Sequence, residues 1–233
     1  MSKTIVLGIT GTISSGKSLV GKILEDKGVP VIDTDKVVHS LLQDDLKTKS
    51  AIFETFGPAV FAPMEGDCAS TQPVSPLLSN ANLSNFAVDR KALGLQVFND
   101  SSLKAKLEAI VHPNVILRCR KLIQDLQNSL KNKPLPMVAV LVPLLFEAHL
   151  EKEYDQIWSV YTDEEIIRER LKRRDGLSDS EVEKRLRAQL PQEEKARRAD
   201  QVIDNSKSKE ETEHQVDVLL SKLQKSHRYG QEK

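Results

Sequence analysis

Long hydrophobic runs, paired cysteines and an excess of either charge are all missing from this 233-residue chain, and each absence removes a class of protein. The apolar stretch nearest the N-terminus, Ile5 to Ile9, is interrupted by Gly8 and is too short for a signal-peptide core; no later run approaches the length that crosses a bilayer. A soluble, cytoplasmic protein without a membrane partner is expected. The two cysteines, Cys68 and Cys119, show no CxxC spacing and no accompanying histidine pair, which argues against a zinc site or a disulfide framework and for reduced thiols. Lysine plus arginine and aspartate plus glutamate each number 34, so no long-range field favours nucleic acid, and an anionic ligand must be held by local chemistry. What is present, 39% apolar residues, is enough for a sizeable core in one elaborated domain or in a large and a small lobe.

The periodicity of those apolar residues organises the chain. Thr4 to Ile9 is β-branched and reads as a buried strand; it leads through a loop into a helix beginning near Gly16, with Leu19, Val20, Ile23 and Leu24 on one face. Gly28 ends that helix, Val29 to Ile32 is a second strand delivering Asp33 and Asp35, and Lys36 to Leu42 is helical. The middle of the chain turns helical and irregular. Its Pro-, Ser- and Asn-rich stretch from Pro63 to Asn85 reads as loop, and the helical pattern of Arg90 to Val111 is interrupted by His112-Pro113 before a helix over Val115 to Leu130.

Met137 to Leu145 is the longest apolar run, as expected of a parallel strand buried on both faces, and Gln156 to Tyr161 is another strand. Thr162 with Glu165 reads as a capping box for an arginine-rich helix, Glu164 to Arg174, which Asp175-Gly176 breaks. Ser178 with Glu181 repeats the signature before a helix to Leu190, and Pro191 opens another ending near Asp200. Gln201 to Asp204 is a last strand, and a helix from about Glu210 to Gln224 precedes a frayed end. Five strands alternating with helices predict a doubly wound α/β fold with a parallel sheet.

Gly11-Thr12-Ile13-Ser14-Ser15-Gly16-Lys17-Ser18 satisfies G-x-x-x-x-G-K-[ST] and stands where that pattern works, between a strand and a helix. Backbone N–H groups and the helix N-terminus enclose phosphate, Gly11 permits the turn, Gly16 allows close approach, Lys17 reaches the β and γ phosphates, and the Ser18 hydroxyl ligates Mg²⁺. The chain has no Asp-x-x-Gly or Asn-Lys-x-Asp pair, which disfavours a GTPase switch, and its long apolar strand leads to Glu147 rather than to an aspartate, unlike a motor. A small-metabolite kinase using ATP and Mg²⁺ fits better.

Asp33 and Asp35 follow a strand whose carboxyl edge faces the ligand crevice; either could accept a proton from an attacking hydroxyl, or simply cap the helix starting at Lys36. Arg168, Arg170, Arg173 and Arg174 crowd one helix. Arg170 and Arg174 share a face at i, i+4 spacing and could grip a triphosphate, although charged helices are commonly just solvated. His112 at a helix end reads as a structural cap that could touch substrate, and Cys119 and Trp158 read as packing residues.

Several segments in series resemble the dephospho-coenzyme A kinase family: Gly8 through Ser18, Val31 to Asp35, Leu107 to Pro113, Val142 to Glu147, Arg170 to Asp175, and Ala199 to Asn205. The resemblance implies a three-layer P-loop kinase with a five-stranded parallel sheet, a nucleotide-binding core over residues 1–43 and 131–233, a lid at about 168–195, and a helical lobe over 44–130 that binds the coenzyme A moiety. It implies transfer of the ATP γ-phosphoryl group to the ribose 3′-hydroxyl of dephospho-coenzyme A, with no nucleic-acid partner and a monomeric chain. By the same carry-over Gly11, Ser14, Ser15, Gly16, Lys17, Ser18, Leu19, Arg170 and Arg174 would hold ATP. Asp35, Lys17 and Arg170 would be catalytic, and Asp33, Asp35, Arg90 and His112 would meet substrate. Thr12 and Ser14 stand where the family commonly has glycine, which leaves the loop without two easy positive-φ positions. The stretch from Pro63 to Asn85 is longer than its counterpart in the family and is given no role.

Overall fold

A computed structural model describes residues 4–64, 80–98, 100–130, 133 and 135–231. Most of the stretch from Pro63 to Asn85, with Cys68, and the last two residues of the chain lie outside the described residues. The chain divides into two compact units, Met1–Asp33 with Leu122–Lys233, and Thr34–Lys121.

The first unit is built on a five-stranded sheet: β1 (Ile5–Thr10), β2 (Val31–Asp33), β5 (Met137–Leu141), β6 (Gln156–Tyr161) and β7 (Gln201–Asp204), ordered β2-β5-β1-β6-β7. Every pairing is parallel. Each chain crossover therefore needs a helix, and the unit's helices are α1 (Lys17–Asp26), α6 (Glu164–Asp175), α7 (Asp179–Arg187), α8 (Gln192–Arg198) and α9 (Lys209–Gln231). Sequence reading thus places the α/β class and all five strands. β5 is shorter than the apolar run that contains it, because Pro143 has no N–H to extend a ladder; Leu145 and Phe146 stay buried in the turn that follows.

The core of this unit explains why the sheet forms. Leu7 and Ile9 of β1, Met137 and Leu141 of β5, and Trp158 and Val160 of β6 pack with Val20, Ile23 and Leu24 of α1 and Val216, Leu219 and Leu220 of α9. Alternate residues of β1 project the other way. There Gly8 is obligatory, since a Cβ would lie 2.8 Å from Tyr154 Cγ and 2.9 Å from Leu145 Cδ1. Full burial of a side chain such as Leu24 contributes roughly 2 kcal/mol, which is how α1 is pinned behind the loop it follows.

The second unit contains α2 (Thr34–Asp44), α3 (Leu46–Phe56), α4 (Arg90–Phe98) and most of α5 (Ser101–Leu130), with a two-stranded antiparallel sheet of β3 (Phe61–Pro63) and β4 (Phe86–Val88). Two sequence expectations change here. Within the section expected to be helical and irregular, the residues flanking the expected loop pair as strands, Phe61 opposite Val88 and Pro63 opposite Phe86. And α5 runs through His112-Pro113 without a break. Next to Pro113, the Asn114 side-chain amide donates to Ile110 O at 3.0 Å and, across to α3, to Thr48 Oγ1 at 3.1 Å. The apolar stripe Leu103, Leu107, Ile110, Val111 and Val115 stays packed on the unit's core, so tertiary burial outweighs the proline. Lys49, 1% exposed, ties this core together by donating to Gln43 O and Phe86 O at 3.0 and 2.7 Å.

Candidate active site

The loop from Gly11 to Gly16 leaves the carboxyl end of the central strand β1 and enters α1, and its backbone is set by three positive-φ residues. Gly11 has φ 149°, Ser14 61° and Gly16 100°. The two glycines are fixed by space as well. A Cβ on Gly11 would lie 2.5 Å from the Val160 carbonyl oxygen, and one on Gly16 would lie 2.0 Å from Asn205 Nδ2. Ser14 takes a left-handed conformation without being glycine, so the departure from the family's glycine pattern leaves that backbone shape intact.

Buried neutral groups hold the loop from behind. The Ser15 carbonyl accepts from Asn205 Nδ2 at 2.8 Å and from Thr162 Oγ1 at 2.7 Å, and Asn205 Oδ1 accepts from Thr212 Oγ1 at 3.0 Å. Thr162, expected as the first half of a capping box, is spent here; the N-cap of α6 is Asp163, which makes no side-chain cap bond. The second capping box, Ser178 with Glu181, forms as expected, and Gly176 ends α6 at φ 66°.

The segment after α7 forms a second brace. Ile13 N donates to Gln189 Oε1 at 3.0 Å, Leu190 N to Glu147 Oε1 at 2.9 Å, and Thr162 N to Gln192 Oε1 at 3.2 Å. Lys195, wholly buried, donates to Pro143 O at 2.7 Å and pairs with Glu147 at 2.8 Å. Burial pushes the Glu147 carboxyl up, but the hydrogen bonds from Lys195 and Leu190 outweigh it and hold it below the usual carboxylate range. For Lys195, burial wins over the pull of Glu147 and lowers the ammonium. None of Gln189, Lys195, Asn205 and Thr212 is assigned a role by the sequence reading, which gives Thr162 only that of a helix cap.

The loop also holds hydrogen-bonding groups that the described residues do not satisfy. The hydroxyls of Thr12, Ser14 and Ser15 are buried and have no partner among the described residues. Together with the N-terminus of α1 they suit phosphate oxygens, which could satisfy otherwise costly buried groups. Lys17 Nζ folds onto the loop, donating to Gly11 O at 2.9 Å and Thr12 O at 2.8 Å, and Ser18 and Leu19 open α1, with Ser18 exposed.

The arginines separate by partner. Arg170 reaches the loop, donating to Ser14 O and Asn205 O, each at 3.3 Å. Arg174 pairs instead with Asp175, which also accepts from Arg185 at 2.6 Å; the Arg174 hydrogen bond leads the effects that lower the Asp175 carboxyl. Arg168 braces α6 to α7 through Glu183 at 2.6 Å. Asp33 ends β2 in the first unit. The remaining expected residues belong to the second unit: Asp35 is exposed in the first turn of α2, which begins at Thr34 rather than Lys36. Arg90 is the exposed first residue of α4, where Asp89 caps the helix through Lys91 N and Ala92 N at 2.9 and 3.1 Å. His112 is exposed within α5 and is no helix end.

A parallel sheet of this order, with a phosphate loop between its central strand and first helix, defines a P-loop kinase of the α/β class. Within that class the family model for dephospho-CoA kinase matches residues 5–69 and 80–211. A dephospho-CoA kinase of Geobacter sulfurreducens is 36% identical over 217 residues, which cover 93% of this chain and 98% of that protein. The structure of TT1252 from Thermus thermophilus is similar at a TM-score of 0.68 and 33% identity, over 94% of this chain and 98% of its own. That of dephospho-CoA kinase from Campylobacter jejuni matches at 0.58 and 25%, over 94% and 97%. The chain belongs to the dephospho-CoA kinase family, the enzymes of the final step of coenzyme A biosynthesis.

Proposed function

We propose that this kinase uses Mg-ATP to phosphorylate the ribose 3′-hydroxyl of dephospho-coenzyme A, with Asp35 as the proton acceptor. The observation that carries the nucleotide half is the loop with three partnerless buried hydroxyls at a helix N-terminus; family membership carries the acceptor half. The 3′-oxygen forms its bond to the γ-phosphorus while the bond to the β,γ-bridging oxygen breaks. Asp35 takes the hydroxyl proton, and ADP leaves with the electron pair. Asp35 follows Asp33 by two residues beyond the carboxyl end of β2, the sheet edge from which the phosphate loop also springs.

Lys17 exchanges the Gly11 and Thr12 carbonyls for the β and γ phosphates, and Arg170 exchanges Ser14 O and Asn205 O for the transferring group. Both exchanges replace carbonyl acceptors by anionic ones, the stronger charge-assisted kind. Ser18 would hold Mg²⁺, whose charge offsets that of the phosphates. Gly11, Ser14, Ser15, Gly16 and Leu19 supply the remaining contacts to ATP, with Arg174 behind Arg170. Residues 44–130 bind the coenzyme A moiety, and Asp33, Arg90 and His112 meet the substrate. The protein acts in the cytoplasm as a monomer.

The test is ADP release with and without dephospho-coenzyme A, with the phosphorylated position fixed by phosphorus NMR, in the wild type and Asp35→Asn. Acceptor-dependent turnover at the 3′-position that drops at least about a hundredfold in the variant, the range of general-base contributions, supports the reading. Turnover that ignores the acceptor, or a variant as fast as wild type, refutes it.

A further inference from the structure

Three contacts from the arginine hairpin α6–α7 and the segment that ends it fall on two neighbouring loop residues. The Ile13 side chain packs against Ile167, Leu171 and Val182, the small apolar core of the hairpin itself. The Ile13 N–H is taken by the Gln189 side chain, and the Ser14 carbonyl accepts from Arg170. Gln189 is itself held in place, since the next residue, Leu190, donates to Glu147, which Lys195 fixes in turn.

Ser14 makes this grip matter. A non-glycine residue in the left-handed region is strained by about 1–2 kcal/mol and stays there only when its surroundings determine it. On one side the contacts that fix its neighbourhood come from Asn205 and Thr162 at Ser15; on the other, at Ile13 and at its own carbonyl, they come from the hairpin and the segment after it. Conversely, two of the hairpin's own anchors to the nucleotide loop are the Ile13 side chain and N–H, so the place of Arg170 depends on them.

We infer that Ile13 and Gln189 are positioning residues that dock the arginine hairpin onto the phosphate loop and thereby aim Arg170 at the transferring phosphoryl group. The inference rests on the reading of Arg170 as a phosphate-gripping group. Neither residue touches the phosphates: the N–H of Ile13 is already occupied, and its side chain points into the hairpin core. They act through Arg170, which precedes Leu171 directly and lies about one helical turn after Ile167 on the same helix.

The test is a double-mutant cycle. Gln189→Met keeps length and removes the acceptor; Ile13→Ala removes the apolar contact; each is combined with Arg170→Gln. We expect each anchor variant to bind Mg-ADP within about twofold of wild type but to lose about tenfold in kcat, the size of one hydrogen bond. In those backgrounds Arg170→Gln costs far less than it does in the wild type, because the arginine is already misplaced. Additive losses, a loss confined to Mg-ADP affinity, or wild-type kinetics in Gln189→Met would each overturn the inference. A merely structural role would lower the melting temperature without this non-additivity.

Hydrogen exchange over residues 177–187 gives an acceptor-independent reading. Mg-ADP slows exchange there in the wild type and not in Gln189→Met, whereas equal slowing in both overturns the docking role. Absence of turnover with dephospho-coenzyme A in the wild type would sink the acceptor assignment alone, and leave this second reading to decide the anchors.

Discussion

The phosphate loop and the arginine hairpin both meet phosphate in this reading, yet they are held by opposite kinds of chemistry. Behind the loop stand buried neutral groups, Asn205, Thr162 and Thr212, all at ordinary hydrogen-bond distances. Across the hairpin run exposed ion pairs, Arg174 and Arg185 with Asp175 and Arg168 with Glu183. Exposed pairs contribute little and are screened by salt, while buried hydrogen bonds are costly to break. The loop is therefore fixed before its ligand arrives, and the hairpin keeps cations that can change partners at small cost.

The sharpest way to break that contrast is to spoil the loop. Gly11→Ala sets a Cβ 2.5 Å from the Val160 carbonyl, a backbone atom that cannot swing aside. Its kcat/KM should fall by at least about a hundredfold, the penalty of a misplaced reacting group, with Mg-ADP affinity falling alongside. Gly16→Ala meets the Asn205 amide, Nδ2 at 2.0 Å and Cγ at 2.9 Å, at a φ of 100° that strains any side chain; Asn205→Ala in the same chain should recover only the part of the loss due to the contact.

Next comes the buried pair that braces the post-hairpin segment. Lys195→Met strands Glu147 and should destabilise the protein by about 3 kcal/mol in urea unfolding, the low end for breaking a buried pair. The pair also sets a pH dependence. Because the Glu147 carboxyl is held below its ordinary 4.5, it stabilises the fold above that pH, and the contribution disappears as pH falls through the lowered value. Glu147→Gln should flatten that acid slope; an unchanged slope would show that other carboxylates carry it.

Smaller effects belong to the hairpin. Arg170→Gln should lower kcat by about tenfold to a hundredfold, with little change in melting temperature, as expected of a charge that acts on the transferring group. Arg168→Ala, which removes partly exposed ion pairs to Glu164 and Glu183, should change stability by less than about 1 kcal/mol and lose that effect in high salt. A large salt-insensitive loss there would erase the distinction between the two regions.

Much of this was legible in the sequence where signals are local. The phosphate loop, the second capping box and the apolar strands all depend on residues close together, and each lies where its pattern puts it. Thr162 followed by Glu165 carries the same local pattern as that box, but its hydroxyl is claimed by a loop far away in sequence. Pro113 reads as a helix break, and a buried apolar stripe overrides it. Lys195 sits among charged neighbours, Glu193, Glu194, Arg197 and Arg198, and only the fold reveals that it alone is enclosed. Such long-range pairings leave no periodicity to read.

The most direct test of a preset loop beside an exchangeable hairpin is a crystal structure with Mg-ADP bound. The account expects Ser14 to keep its positive φ and Asn205 to keep the Ser15 carbonyl, while Lys17 and Arg170 leave their loop carbonyl partners for phosphate oxygens. A loop that refolds around the nucleotide, or an Arg170 still bonded to Ser14 and Asn205, would contradict it.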